Sequence, residues 1–557
     1  MNQRGRAALL FLALAMLAAA FRFPQLAARP MHADEAVHAD KLGVLLEQGR
    51  YQYSTADYHG PTLYYLALVA ARAQGITSYA DLNEITLRAV PAAIGVLLVA
   101  AHFLLIPYLG LPAAACAALF TAVSPAMVYY SRYFIHETLM VFFTFCALLA
   151  VFAYFRRKTA ARAAAMGALF GLMYATKETW IIPAACMAVA ACFRGADSVL
   201  GGADSLGGAL WATGPPEPAA SSAASASRKA PAGRPGGRLR TWGSAPPREA
   251  LAALGTAAVA ALVVAMLLMS SFLTHPRGIV DSVLAYRTYF ARASGINTFH
   301  VHPWHFYFDR LLYFHTARAP VWSEALIAGL ATLGLAVSLR RPGVARFLAI
   351  YTVLMAAVYC AIPYKAPWNL LGFLDGMILL AGIGAVWLVH RAPRFVPKMV
   401  VVALVAIGVA NLGWQARAAS FEYAADPRNP WVYAHTGTDV FLIAQQMEAL
   451  AAVHPAGHAM PVEIVTRENL WPLPWYFRRY PGVRWWNGVS ETAPLAPVIL
   501  ATPDMEPALL HRIYEVPPPG QREMYVNMFD HYVELRPRVE VRGYVAKSLW
   551  DDLRETP

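Results

Sequence analysis

Residues 7–40 read "AALLFLALAMLAAAFRFPQLAARPMHADEAVHAD", a mostly apolar run that leads straight into His32, Asp34, Glu35, His38 and Asp40. A helix crosses a hydrocarbon core with about 20 apolar residues. Ionisable groups placed directly at the end of such a run sit at the edge of the membrane, where charge is costly and therefore a functional candidate. This stretch sets the expected fold: a helical membrane bundle with its chemistry at one surface.

The rest of the chain agrees. Its 557 residues are 58% hydrophobic and 14% charged, with mean hydropathy +0.42, against roughly 25% charged residues in an ordinary soluble domain. Eleven runs are apolar enough to span: 7–28, 84–108, 111–130, 137–155, 160–176, 178–194, 249–274, 321–338, 345–363, 367–389 and 397–414. Cytoplasmic loops carry the excess of Lys and Arg. Alternating from "RGR" at 4–6, the basic loops at 156–158, 194–248, 340–346 and 390–398 all fall on the cytoplasmic side. The net charge of +12 then describes anchoring in a plasma (inner) membrane, with membrane lipids as partners and no nucleic acid. "PTLYYLALVAARA" at 61–73 is short and would break the alternation, so it reads as an interfacial helix on the outer face.

Residues 1–30 have features of a cleavable signal peptide, with small residues in "LAARP". They are read here as a retained span, because cleavage would remove the anchor of "HADEA". The five cysteines (116, 146, 186, 192, 360) lie in or beside apolar runs, which leaves no disulfide or Cys-metal framework.

Two domains are expected. Residues 1–415 form the membrane domain, interrupted at 195–248 by a Gly/Ala/Ser/Pro-rich stretch that reads as a disordered cytoplasmic loop. Residues 275–320 interleave arginines and aromatics, a composition suited to the headgroup level. Residues 416–557 have ordinary polarity, with a helix at 439–453 and strands at 461–466, 497–502, near 531–537 and in "VEVRGYVAKSLW" (539–550). This reads as an extracytoplasmic α/β domain.

Acids in the first turn of a helix starting near His32 have a structural explanation, since capping and the helix dipole favour them there. Their company argues for more. The other outer loops, "SRYFIHET" (131–138), "TKETW" (176–180) and "PYKAPWN" (363–369), bring Arg132, Glu137, Lys177, Glu178 and Lys365 to the same surface. One outer cavity holding these groups suits a polyprenyl-phosphate sugar. Cations would hold the phosphate, and a carboxylate would take the proton of an acceptor hydroxyl. The departing lipid phosphate is already a stable anion and needs no general acid.

"HADEAVHADKLGVLLEQGRYQYSTADYHGPTLYYLALV", "SPAMVYYSRYFIHETLMVFF", "YATKETW", "IPYKAPWN" and "NLWPLPWYFRRY" resemble, in order and spacing, the GT-C glycosyltransferases. The likeness is to the glycosyltransferase 39-like type, which includes protein O-mannosyltransferases and lipid A aminoarabinose transferases, and above all to the flippase-activity-associated subgroup of archaeal-type glycosylation. It extends from residue 1 to about 480. The resemblance implies a GT-C-like bundle of about eleven transmembrane helices and an inverting hexosyl- or pentosyltransferase. Such an enzyme takes its sugar from a polyprenyl phosphate and delivers it to a protein, glycan or lipid acceptor at the outer face. It implies Asp34 as catalytic base with Glu35 beside it, Glu137 as the second-loop acid, and phosphate or headgroup contacts from Arg132, Lys177 and Lys365. Two departures stand out. His59 in "YHGP" replaces a cation of the aminoarabinose enzymes, which points to a different headgroup, and Glu137 stands where an Asp is usual.

Imidazole beside carboxylate is also a ligand set for a divalent metal ion, which some relatives hold near the first-loop acid. His32, His38 and His136 are the candidates. "HVHPWH" at 300–305 has no recognised metal spacing. The rival reading is a transporter, flippase or accessory subunit for lipid-linked sugars. Transporters show internal repeats and charged or broken spans at mid-membrane. The sequence reading finds neither a repeat nor a mid-span acid and so favours the enzyme.

Overall fold

The computed structural model describes residues 3–55, 59–197, 248–295, 300–316 and 318–555. Every one of the eleven apolar runs forms helix. Among the described residues seven helices are long and apolar enough to cross a membrane: Arg4–Arg22, Glu84–Leu109, Glu137–Arg156, Leu251–Met269, Val344–Ala361, Pro367–Arg391 and Phe395–Glu422. The runs at 111–130, 160–176, 178–194 and 321–338 give the shorter apolar helices Leu111–Val123, Ala160–Tyr174, Ile181–Asp197 and Ala325–Leu339. The stretch at 61–73 is the 12-residue helix Thr62–Ala73, too short to span alone. The expected loop at 195–248 lies outside the described residues apart from its ends.

Without a hydrophobic drive between helices in lipid, close packing depends on small residues. A Cβ on Gly334 would lie 1.9 Å from the Leu380 carbonyl oxygen, and one on Gly384 would lie 2.0 Å from that of Leu330. These two glycines press Ala325–Leu339 against Leu371–Arg391, backbone to backbone.

One sequence expectation fails here. Asp375 lies inside Leu371–Arg391, is 3% exposed, and leaves its Oδ1 without a hydrogen-bond partner, like the Tyr351 hydroxyl and Thr352 Oγ1 on the neighbouring helix Val344–Ala361. The span at 367–389 therefore does carry a buried acid. A single Asp in a 21-residue apolar helix barely changes its hydropathy, which is how it escaped the reading.

The C-terminal region holds a five-stranded sheet of order β2-β1-β3-β7-β4. Its strands are β1 (Val462–Val465), β2 (Val483–Trp486), β3 (Val498–Ala501), β4 (Tyr525–Asn527) and β7 (Arg542–Ala546). β1 runs parallel to β2 and β3, whereas β7 is antiparallel to β3 and β4. β5 (Glu534–Arg536) and β6 (Val539–Glu540) form a separate hairpin. The expected helix appears as Val440–Val453. "VEVRGYVAKSLW" is only half strand: after β7 the chain turns into the helix Lys547–Glu555. The sequence reading missed β2, β4 and the helix Glu506–Tyr514.

This region is fastened to the bundle through the start of the helix Ala33–Gln48. Thr436 Oγ1 donates to the Met31 carbonyl (2.7 Å), and the Met31 N–H donates to the Tyr476 hydroxyl (3.0 Å). Trp475 Nε1 donates to Glu84 (2.7 Å). "NLWPLPWYFRRY" is thus a docking segment between the two parts.

Candidate active site

His32 caps the helix Ala33–Gln48: its Nδ1 accepts the Asp34 N–H at 3.1 Å. Nδ1 is therefore unprotonated, and Nε2, 3.0 Å from the Tyr433 carbonyl, carries the hydrogen. Both ring nitrogens are engaged. His32 is a positioning residue that ties the helix start to the segment at 433.

The two adjacent acids part company. Glu35 is fully buried and accepts from five donors. Oε1 receives Arg88 Nε (2.8 Å) and the Phe134 N–H (2.8 Å), while Oε2 receives Arg88 Nη2 (2.8 Å), the His32 N–H (3.0 Å) and Arg29 Nη2 (3.0 Å). Burial would raise this carboxyl, but Arg29, Arg88 and the hydrogen bonds hold it far below the usual carboxylate range. A carboxylate so saturated takes no proton, which corrects the expectation of a catalytic Glu35. The capping explanation fits Glu35 alone.

Asp34 is different. Its side chain is half exposed, and its only side-chain partner within 4 Å among the described residues is His32 Nδ1, at 3.9 Å. That nitrogen's lone pair is already committed to the backbone, so no salt bridge results. Enclosure by protein would raise the Asp34 carboxyl; His32, His38, His59 and Lys177 together hold it low. A half-exposed, ionised carboxylate beside imidazole and cationic groups can take a proton from a hydroxyl brought against it. The charge of Asp34 also acts on His300 and Tyr364.

His38, His59 and His136 pack against one another edge-on or tilted, with ring centroids 4.7 Å (38 to 136), 5.0 Å (59 to 136) and 5.7 Å (38 to 59) apart. Each is oriented by a partner. His38 Nδ1 meets the Tyr64 hydroxyl (2.9 Å), His136 Nε2 donates to the Gly60 carbonyl (2.9 Å), and His59 Nδ1 meets Glu178 Oε2 (2.9 Å). Burial pushes His38 down to about 3 and His136 well below its ordinary range. His59 adopts φ 86°, a strained conformation for a non-glycine residue. Glu178 stabilises it by also accepting the His59 N–H (3.1 Å) and the Tyr53 hydroxyl (2.8 Å).

These partners exclude His32 as a metal ligand but leave one nitrogen each of His38 and His136, with His136 Nδ1 buried and without a partner. His32 has no free nitrogen, and one nitrogen each of His38 and His136 is taken. Among the described residues no group of three or more His, Cys, Asp or Glu is arranged to hold a metal ion. As they stand, the described residues do not gather the three or more ligands that the expected divalent ion needs.

Glu137 begins the helix Glu137–Arg156 and forms a buried ion pair with Lys177. Lys177 acts on Asp34, His38 and His136, so the lysine end of the pair is the one turned toward the site. The other two expected phosphate ligands are spent elsewhere. Arg132 donates to the carbonyls of Phe21 (3.3 Å) and Arg22 (2.9 Å), the last residues of the helix Gln3–Arg22, and of Pro24 (2.7 Å) and Gln25 (3.2 Å) just beyond it. Lys365 Nζ donates to the carbonyls of His302 (3.1 Å) and Ile362. The last carbonyls of a helix have no partner within it, and at the membrane they are satisfied by protein. Arg132 does that work at the end of the first helix, and Lys365 does it at Ile362, which caps the helix Val344–Ala361.

The sequence reading missed Arg292. It lies at the end of the amphipathic helix Arg277–Ala293, and its charge acts on Tyr289, His300 and Tyr364. Tyr289 in turn reaches His59 Nδ1 at 3.2 Å. Asp34 and Arg292 thus act with opposite sign on the same two groups, His300 and Tyr364. The only signal was a stretch of mixed arginines and aromatics, which equally describes a helix resting at the headgroups.

No family model and no curated protein matches the sequence. Solved structures do. The chain is similar to ArnT from Cupriavidus metallidurans in the apo state, with TM-score 0.61, 14% identity, and coverage of 97% of this chain and 98% of that one. ArnT bound to undecaprenyl phosphate aligns with TM-score 0.59, 14% identity and the same coverage. The archaeal oligosaccharyltransferase AglB from Archaeoglobus fulgidus, in complex with an inhibitory peptide and a dolichol-phosphate, aligns with TM-score 0.54 at 13% identity, over 90% of this chain and 70% of that one. The fold is that of the GT-C membrane glycosyltransferases.

Proposed function

We infer that the chain is a membrane glycosyltransferase that moves a sugar from a polyprenyl phosphate to an acceptor hydroxyl at the extracytoplasmic face. The observation that carries this reading is Asp34, a half-exposed carboxylate accepting no hydrogen bond among the described residues, with Lys177 acting on it and Arg292 acting on His300, which Asp34 also influences. The undecaprenyl phosphate on ArnT and the dolichol-phosphate on AglB support the donor class.

In the proposed reaction the Asp34 carboxylate takes the proton of the acceptor hydroxyl as its oxygen bonds to the anomeric carbon. The bond from that carbon to the phosphate oxygen breaks, and its electron pair leaves with the lipid phosphate. Lys177 and Arg292 stabilise the charge on that phosphate. One displacement inverts the anomeric configuration. His59, held by Glu178, lies where it would orient the sugar.

Asp375 gives the flippase reading a buried acid that the sequence reading denied it. The deciding experiment follows radiolabelled sugar from a polyprenyl-phosphate donor in proteoliposomes, with wild type and Asp34→Asn. A transferase releases the lipid phosphate and loses that release with Asn at 34. Movement of intact lipid-linked sugar across the bilayer, unchanged by Asp34→Asn, would replace this reading with transport.

A further inference from the structure

The C-terminal region carries a cleft of about 300 Å³ between the end of β4, the loop 529–532 and the β6–β7 junction. Its volume is at the lower end of small-molecule sites. Two aromatic side chains, Phe529 and Tyr532, line it beside Asn527, Glu506, Glu540 and Arg542. The polar groups are already set in a network: Arg542 Nε donates to Glu540 Oε1 (2.7 Å), Arg542 Nη1 pairs with Glu506, and the Tyr544 hydroxyl donates to Glu506 Oε1 (2.5 Å). Tyr532 is 56% exposed, a large aromatic surface with little covering it.

An aromatic face beside fixed, planar hydrogen-bonding side chains matches the two surfaces of a sugar ring, apolar C–H on its faces and hydroxyls around its edge. The charge narrows the class. Glu506, Glu540 and Asp530 outnumber Arg542 in the lining, which disfavours phosphorylated, sulfated or carboxylated sugars.

The cleft is also next to the chain that leads to Asp34. Two residues beyond Tyr532, β5 is tied to the segment 437–439: the Gly437 N–H donates to the Leu535 carbonyl (2.8 Å), and the Glu534 N–H donates to Asp439 (2.9 Å). The same segment continues back through Thr436, bonded to Met31, and Tyr433, bonded to His32. We propose that this cleft is a saccharide-binding subsite, and that it holds a neutral glycan belonging to the acceptor while the acceptor hydroxyl is presented at Asp34. The second half of this proposal rests on the transferase reading; the first half does not.

The test uses the full chain in lipid nanodiscs, without donor, and measures binding of soluble neutral tri- and tetrasaccharides by saturation-transfer NMR, with a sulfated oligosaccharide as the contrasting probe. The expected result is binding of at least one neutral probe, weakened roughly tenfold in Tyr532→Ala, as loss of an aromatic contact implies. Asn527→Ala, at an exposed position, is expected to weaken the same probe. Both variants should keep the thermal midpoint of the wild type. Failure of every neutral probe to bind, equal binding of the sulfated probe, or binding indifferent to both substitutions would overturn the subsite. Since no donor is present, such a failure leaves the transfer reaction untouched. Conversely, loss of the transferase reading in the proteoliposome assay leaves the binding result standing.

Discussion

Glu35 and Arg88 face each other in a bidentate pair, Nε to Oε1 at 2.8 Å and Nη2 to Oε2 at 2.8 Å, with both side chains almost wholly buried. Arg88 also donates to the carbonyls of Leu26 (2.6 Å), Arg29 (2.9 Å) and Pro30 (2.9 Å). The pair joins the irregular segment after the first helix to the helix Glu84–Ala101 and thereby fixes where Asp34 begins its turn. Removing one partner of a buried pair strands the other charge, at a cost of about 3–5 kcal/mol. Glu35→Gln should therefore lower the thermal midpoint in detergent, whereas Asp34→Asn, whose side chain is half exposed, should not. A Glu35→Gln protein with wild-type stability and no transfer would return Glu35 to the chemistry.

Arg132 and Lys365 follow the same logic. Their donors serve carbonyls, so Arg132→Met and Lys365→Met should destabilise the protein by about 1–3 kcal/mol through unsatisfied buried acceptors. The KM for the donor should stay within about twofold in whatever folded protein remains. A large rise in donor KM at full stability would restore Lys365 as a phosphate ligand.

The sequence made the helices legible because each needs only a local run of apolar residues, and the strands β1 and β3 because they are short β-branched runs between turns. It also brought Asp34, His59 and Lys177 to one surface. It did not say which cations were free. Arg132 and Arg88 reach carbonyls and carboxylates 53 to 111 residues away, and nothing in a local pattern distinguishes such a guanidinium from one facing a cavity. Arg292 went unnoticed for a different reason. On an amphipathic helix a site residue and a headgroup residue look alike.

Gly60 gives a steric prediction. Its N–H donates to the Thr176 carbonyl (3.1 Å), and a Cβ there would lie 2.0 Å from the Ala175 carbonyl oxygen. Gly60→Ala must push the "YHGP" loop off the 175–176 backbone and carry His59 and the His136 acceptor with it. Transfer should fall by about tenfold or more, since small misplacements at a reacting centre are costly. A Gly60→Ala protein with wild-type kcat/KM would show that His59 does not need this position.

His38 sets an expectation for acid. Burial holds it near 3 in the folded chain, against about 6.5 when exposed. The unfolded chain therefore binds the extra proton first as pH falls. Stability from this group is intact above about 6.5 and is lost progressively toward 3, with a slope of at most about 1.4 kcal/mol per pH unit. His38→Gln should flatten the fall of the thermal midpoint between pH 6.5 and 4. An unchanged slope would mean that other groups govern acid unfolding.

Lys177 and Glu137 allow the role of the cation to be separated from the role of the pair. Both are buried and bonded to each other, so Lys177→Met alone leaves Glu137 uncompensated and should be strongly destabilising. Lys177→Met with Glu137→Gln removes both charges and should recover most of that stability, the coupling expected of contacting residues. If Lys177 serves the donor phosphate, the double variant regains its fold but not its activity, and its donor KM stays raised. Arg292→Gln should raise donor KM too, with little loss of stability because its side chain is only half-buried. A double variant that recovers both stability and donor affinity would make the Lys177–Glu137 pair purely structural and leave Arg292 as the cation to test against the phosphate.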